Sequence, residues 1–303
     1  MRLFLELPDS RVHFLDQGSG PPLVLLHGWP EFCGIWRHNL PALAGRFRVL
    51  APDFRGFGQS RPRPGSPPLP SNPATLAADL WAMLDHLSPE RVGLISHDVG
   101  AQVAQVLARR HPQRIAGLFF FDCPYPGIGR RWAESAMLSE TWHQYFNQLP
   151  WAAKLVGSSR EACRRFLSPF LCHWAGSPEI FSEAATEEWV DNFPRPGAWE
   201  GGFAWYAGID QARRGLIKEG APRWPQIETP ARFLWGARDP IIPAAWADRL
   251  EEYLADYRWE LAPQAGYFVP REVPEPAKEA RLSFFTSLPF LRIRLEGPRT
   301  GQP

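Results

Sequence analysis

The sequence predicts an α/β protein: a mostly parallel, doubly wound sheet with a helical block inserted into it. Three observations carry this. Short, continuous apolar runs alternate with helical patterns through residues 1–124. Residues 125–228 then show helical patterns and hardly any strand signal, and apolar runs resume at 231. Alternating strand and helix argues for parallel pairing, because each parallel connection needs a crossover.

In chain order, "MRLFLELPDSRVHFLD" alternates apolar and polar residues and predicts two strands around a Pro-Asp-Ser turn. "PPLVLLHG" (21–28), "RFRVLAPD" (46–53), "RVGLISHD" (91–98) and "RIAGLFFFD" (114–122) read as strands buried on both faces, being continuous and bounded by turn residues. Asn72-Pro73, an N-cap followed by proline at the first helical position, opens a helix over "ATLAADLWAMLDHL". The proline-dense "RPRPGSPPLPSNP" (61–73) predicts a stiff surface loop. The inserted block carries eight of the 14 tryptophans, and "ARFLWGARD" (231–239) and "YRWELAP" (257–263) supply the last strands. The expected organisation is a core domain from 1–124 and 229–303, with 125–228 as a helical cap over the C-terminal ends of the strands.

Lys+Arg number 33 against Asp+Glu 32, so no electrostatic footprint points to nucleic acid or an anionic membrane. Arginine pairs (Arg109–Arg110, Arg130–Arg131, Arg164–Arg165, Arg213–Arg214) are dispersed and read as solvated helix faces. Four cysteines without C-x-x-C spacing suit reduced thiols, and no apolar run approaches the ~20 residues of a membrane span. A cytoplasmic enzyme is the expectation. Phosphate loop, dinucleotide fingerprint and H-E-x-x-H motifs are missing from the chain, and nothing in it calls for a metal or organic cofactor.

The chemistry centres on "LISHDVGAQVA" (94–104). A strand runs into Ser96-His97-Asp98-Val99-Gly100 and a helix starts at once, the pattern of a nucleophile elbow. Small residues around a strained turn thrust one side chain above the sheet; here it is the carboxylate of Asp98. At a helix N-terminus the amides and dipole favour its anion, which can attack an electrophilic carbon. "LLHGWPEF" (25–32) ends an earlier strand, and its glycine permits a turn that aims the Trp29 N–H at the nucleophile. The Val99 N–H is the second expected donor of an anion hole. His27 reads as a loop brace.

These residues resemble the α/β-hydrolase fold superfamily, and within it the branch of epoxide hydrolases and haloalkane or haloacid dehalogenases. The resemblance rests on H-G-W-P at 27–30, D-F-R-G-F-G at 53–58, S-H-D-V-G-A at 96–101, W-G-A-R-D at 235–239 and G-Y-F-V-P-R-E at 266–272. It implies that Asp98 attacks carbon to form an alkyl-enzyme ester. Asp239, with Asp122 as the alternative, would orient a histidine that activates water against that ester.

The chain departs from the pattern at 267, where Tyr267 stands in the histidine's place, and all eight histidines lie between 13 and 173. A phenol titrates near ~10, so about one molecule in a thousand is phenolate at neutral pH. It can donate a hydrogen bond to Asp239 but is a poor base for water. Ester formation needs no histidine, whereas ester hydrolysis does, so the second step is expected to be impaired.

The same resemblance places Tyr206 as a cap acid that protonates an opening epoxide, with the second cap group among Trp142, His143 and Tyr145. Haloacid dehalogenases of the fluoroacetate type hold a carboxylate with arginines that are here Val99 and Gln102. The expectation is therefore a small uncharged epoxide. A dehalogenase of that type, with His143 at its halide pocket, and a noncatalytic ligand-binding homologue are the alternatives. A homodimer through the cap stays open.

Overall fold

The computed structural model describes residues 1–63, 65, 71–87, 90–193 and 197–288. Among them, β1 (Arg2–Glu6) and β2 (Ser10–Gln17) form the expected N-terminal hairpin, joined by the Leu7 N–H on the Ser10 carbonyl. β3 (Pro22–Leu26), α1 (Leu40–Ala44) and β4 (Arg48–Pro52) follow. The proline-dense segment begins with a short strand, β5 (Arg61–Pro62), against β2; residues 64 and 66–70 of the expected loop lie outside the described residues. In α2 (Pro73–Leu87), Asn72 Oδ1 accepts from the Ala74 and Thr75 N–H groups, the predicted cap.

β6 (Val92–His97), α3 (Val99–Arg110) and β7 (Ile115–Phe121) complete the first half. Between β7 and β8 (Ala231–Gly236) the described residues are helical and turn structure, in the block the sequence marks. Its α-helices are α4 (Leu138–Phe146), α5 (Ala152–Val156), α6 (Arg160–Trp174), α7 (Glu183–Asn192) and α8 (Ala198–Glu219). β9 (Tyr257–Ala262), α9 (Val269–Glu272) and α10 (Pro274–Ser287) close the described chain.

The strand order is β1-β2-β4-β3-β6-β7-β8-β9, antiparallel at the β1-β2-β4 end and parallel from β4 to β9. The centre is apolar on both faces, with all of β6 and β7 buried. Loops at the C-terminal ends of β3, β6, β7, β8 and β9 carry residues 27–32, 98, 122, 239 and 267. In a parallel sheet these ends lie side by side, and this brings motifs from five parts of the sequence together.

Candidate active site

Asp98 sits between β6 and α3 with φ 44° and ψ −109°, a conformation that non-glycine residues adopt only under constraint. Two glycines leave room for it. A Cβ on Gly28 would lie 2.8 Å from the Asp98 Cβ, and one on Gly100 would lie 2.4 Å from the Leu26 carbonyl oxygen, where α3 abuts β3. The Trp29 N–H donates to Asp98 Oδ2 at 3.1 Å, the aim predicted for that amide. Val99, at the first turn of α3, is fully buried behind it.

Burial raises the Asp98 pKa, and the opposing pulls of His97, the Tyr267 hydroxyl and the Trp29 amide do not cancel it. The carboxyl therefore gives up its proton at a higher pH than an exposed aspartate, while the Trp29 amide favours its anion as expected. Burial of the carboxylate outweighs the hydrogen bonds and the charge that favour its anion.

His27 braces loops, with Nδ1 2.8 Å from the Gly28 carbonyl and Nε2 accepting from the Phe54 N–H at 3.1 Å. His97, beside Asp98, is also buried. Its Nδ1 lies 3.0 Å from the Glu31 carboxylate and its Nε2 is 4.0 Å from Asp122 Oδ2. Burial pulls the His97 pKa down, but Glu31, Asp98 and Asp239 together raise it.

Asp239 follows β8 as expected. Its Oδ1 accepts from the Ile241 and Ile242 N–H groups at 2.7 and 3.0 Å, while Oδ2 is buried without a partner among the described residues. Burial pushes its pKa up to about 7, and the two amides only partly oppose this. Asp122, at φ 36°, accepts from the Gly236 N–H at 2.8 Å, and its Oδ2 is likewise unpartnered.

Tyr267 is 1% exposed, its ring edge-on to His97 at 4.4 Å and to Trp174 at 5.1 Å. The expected bond to Asp239 does not form. The phenol hydroxyl donates to the Trp29 carbonyl oxygen at 2.6 Å. The reason is shape: a phenol carries its oxygen at the far tip of the ring, and here that tip reaches the Trp29 carbonyl. Burial, then Asp98 and Glu31, hold the phenol pKa well above its usual value. Glu272 fixes this loop by accepting from the Gly266, Phe268 and Gly176 N–H groups at 2.7 to 3.1 Å.

From the insertion, Tyr206 and His143 reach the cavity above Asp98, with Trp29, Gln102, Trp132 and Tyr267 among its other walls. Trp142 and Tyr145 do not line it and are about half exposed, which resolves the register left open by the sequence. His143 stacks on Trp29 at 5.1 Å, with Nδ1 3.1 Å from the Glu140 carbonyl oxygen. Burial lowers its pKa to about 3, so it is neutral and Nε2 is an acceptor. Tyr206 is raised well above its usual pKa by burial and by Asp98.

One wall residue had been assigned elsewhere. Arg213, expected on a solvated helix face, lines the cavity from α8. Nothing in a doubled arginine distinguishes the inward member from the outward one; only the helix phase shared with Tyr206, seven residues earlier, could have signalled it.

A family model described as the alpha/beta hydrolase fold matches residues 21–270. The chain belongs to the α/β-hydrolase fold family. Within it, this α/β hydrolase is epoxide hydrolase-like. It is 32% identical over 287 residues to the soluble epoxide hydrolase of Corynebacterium sp. (strain C12), covering 92% of this chain and 94% of that protein. It is 26% identical to the fluoroacetate dehalogenase of a Burkholderia species, covering 92% of each. The solved structure of epoxide hydrolase CorEH without ligand superposes with a TM-score of 0.80 at 29% identity, covering 95% of this chain and 99% of that one. Among the described residues of this α/β hydrolase, no helix is long and apolar enough to cross a membrane.

Proposed function

We propose that this α/β hydrolase opens small organic epoxides by attack of Asp98, and that the resulting ester is hydrolysed slowly because Tyr267 fills the base position. The observation that carries the reading is the strained Asp98 at the strand–helix turn, with the Trp29 amide 3.1 Å from its carboxylate.

In the first step an Asp98 oxygen forms a bond to a ring carbon and the C–O bond of the epoxide breaks. The freed oxygen takes the Tyr206 proton and becomes a hydroxyl, and the phenolate recovers a proton from solvent. Tyr206 suits an alkoxide because burial keeps its proton in place until a stronger base forms beside it. The product is a 2-hydroxyalkyl ester of Asp98, with the Trp29 and Val99 N–H groups as the proposed anion hole for its later hydrolysis.

That hydrolysis needs a base for water. Tyr267 cannot serve, since its proton is held by the Trp29 carbonyl and its pKa is raised. The unpartnered Asp239 Oδ2 supports the same reading, as an orienting acid with nothing to orient. The dehalogenase alternative is weaker, because neutral His143 turns its N–H to Glu140 rather than to a departing halide.

In this reading residues 125–228 act as a cap, with 1–124 and 229–303 as the core. The compartment is cytoplasmic. The exposed apolar side chains Leu138, Trp142, Tyr145, Leu149, Trp151 and Leu155 suit a second copy of the chain docking on the cap.

The test is intact-protein mass spectrometry after incubation with styrene oxide. A mass gain equal to the whole epoxide, mapped to Asp98 and lasting minutes, is expected. Unchanged protein with unchanged epoxide overturns the nucleophile assignment and favours a noncatalytic binder.

A further inference from the structure

Arg213 is a cation in the cavity wall that forms no ion pair among the described residues. It lines the cavity with Asp98, Gln102 and Tyr206, and its guanidinium sits 4.2 Å over the Trp132 ring. Among the described residues no carboxylate stands within ion-pair distance of it. Asp210, one turn back on α8, is taken by Arg214 at 2.6 Å. The side chain is half-buried, and burial pulls its pKa down to about 10, with Tyr206, Tyr145 and Asp98 drawing it back up. A desolvated charge held in place by a ring, with no partner, is a costly arrangement unless something arrives to pair with it.

We propose that Arg213, assisted by the Gln102 carboxamide, is a subsite for an anionic group on the substrate, so that the preferred substrates are short epoxides carrying a carboxylate. This rests on the reading of Asp98 as nucleophile and departs from the uncharged substrate expected from sequence. The arginines absent at 99 and 102 led to that expectation; a cation reaches the same cavity from α8 instead. Gln102 faces it from α3, with no side-chain hydrogen bond among the described residues.

Charge balance across the reaction gives a second argument. Before attack, the ionised Asp98 offsets Arg213. Esterification makes Asp98 neutral, and His143 and Tyr206 are neutral too. The guanidinium then stays half-buried beside no anion, unless the substrate has brought one. A substrate carboxylate seated on Arg213 supplies that counter-ion as the ester forms.

The experiment uses an inert pair and a reactive pair. Calorimetric titration of the whole protein with pentanoate and with pentanamide is expected to show the acid binding at least about tenfold tighter, the size of one charge-assisted hydrogen bond. Arg213→Gln should abolish that preference, while Arg213→Lys keeps part of it. With 4,5-epoxypentanoate and its methyl ester, the acid should label Asp98 faster in the wild type only.

Equal affinities for acid and amide in the wild type, or binding by neither, overturn the proposal without any variant. So does an Arg213→Gln protein in which labelling by acid and ester falls equally, since Arg213 would then act on the opening oxygen. The inert pair is read without chemistry. Failure to label Asp98 therefore removes the nucleophile reading alone, and an acid/amide ratio near one removes this one alone.

Discussion

The Tyr267 hydroxyl donates to the Trp29 carbonyl oxygen at 2.6 Å, tying the loop after β9 to the loop after β3 directly above Asp98. The same residue whose N–H points at Asp98 thus holds, through its carbonyl, the proton that a base would have to release. Replacing Tyr267 by histidine frees that carbonyl and offers Asp239 a ring nitrogen. Tyr267→His is expected to shorten the lifetime of the Asp98 ester by about 10²–10⁴-fold. Decay of the adduct by mass spectrometry, with release of diol, measures it. A lifetime unchanged in the variant would mean that something other than the base limits hydrolysis.

Labelling of Asp98 should depend on pH through Asp98 itself. Only the carboxylate attacks, and burial raises its pKa above the ordinary value of 3.8. The labelling rate is therefore expected to fall as pH falls, with a midpoint above that of an exposed aspartate. Asp98→Asn should show no labelling at any pH. A rate flat down to pH 4 contradicts the raised pKa.

Asp239 gives a stability prediction of opposite sense to a salt-bridged acid. Its folded pKa, about 7, lies above the unfolded value near ~3.9, so the native state binds more protons between those limits. Stability from this group is then greatest below about pH 4 and is lost as pH rises to about 7. Asp239→Asn keeps the acceptor for Ile241 and Ile242, so it should stabilise the fold at pH 8 by about 1–3 kcal/mol. It should have little effect at pH 4. Urea unfolding at both pH values checks this, and an equal effect at both would contradict it.

Gly28→Ala puts a methyl group 2.8 Å from the Asp98 Cβ, closer than real contacts of this kind come. The turn must shift, at an expected cost of about 1–3 kcal/mol and with slower labelling of Asp98. Wild-type stability and rate together would show that the elbow tolerates displacement.

Glu272→Ala strips the acceptor from three backbone N–H groups at residues 176, 266 and 268. A loss of about 1–3 kcal/mol is expected. Backbone amides of 265–268 should exchange hydrogen faster, because that carboxylate accepts from the Gly266, Phe268 and Gly176 N–H groups together. Unchanged exchange there would show that packing around Tyr267 is sufficient.

Much of the fold was legible in the sequence for local reasons. Continuous apolar runs at 22–26, 92–97 and 115–121 admit little besides central strands, and Asn72-Pro73 fixes a helix start by its own hydrogen bonds. The elbow was legible too, because the strand, the small residues and the helix that constrain Asp98 are its sequence neighbours. So was the missing histidine, an absence that position 267 states outright.

What the tertiary structure decided were matters of direction and surroundings. Whether Tyr267 bonds to Asp239 or to Trp29 depends on where a ring tip lands across a gap between loops 238 residues apart. The inward turn of Arg213 depends on how α8 packs over the sheet, since Arg213 and Arg214 are chemically alike and differ only by a step around the helix. The Asp98 pKa belongs to the same class. The sequence placed it at a helix N-terminus, but the desolvation that raises it comes from walls contributed by distant segments. Backbone form follows from neighbours in the chain, whereas charge and aim follow from neighbours in space.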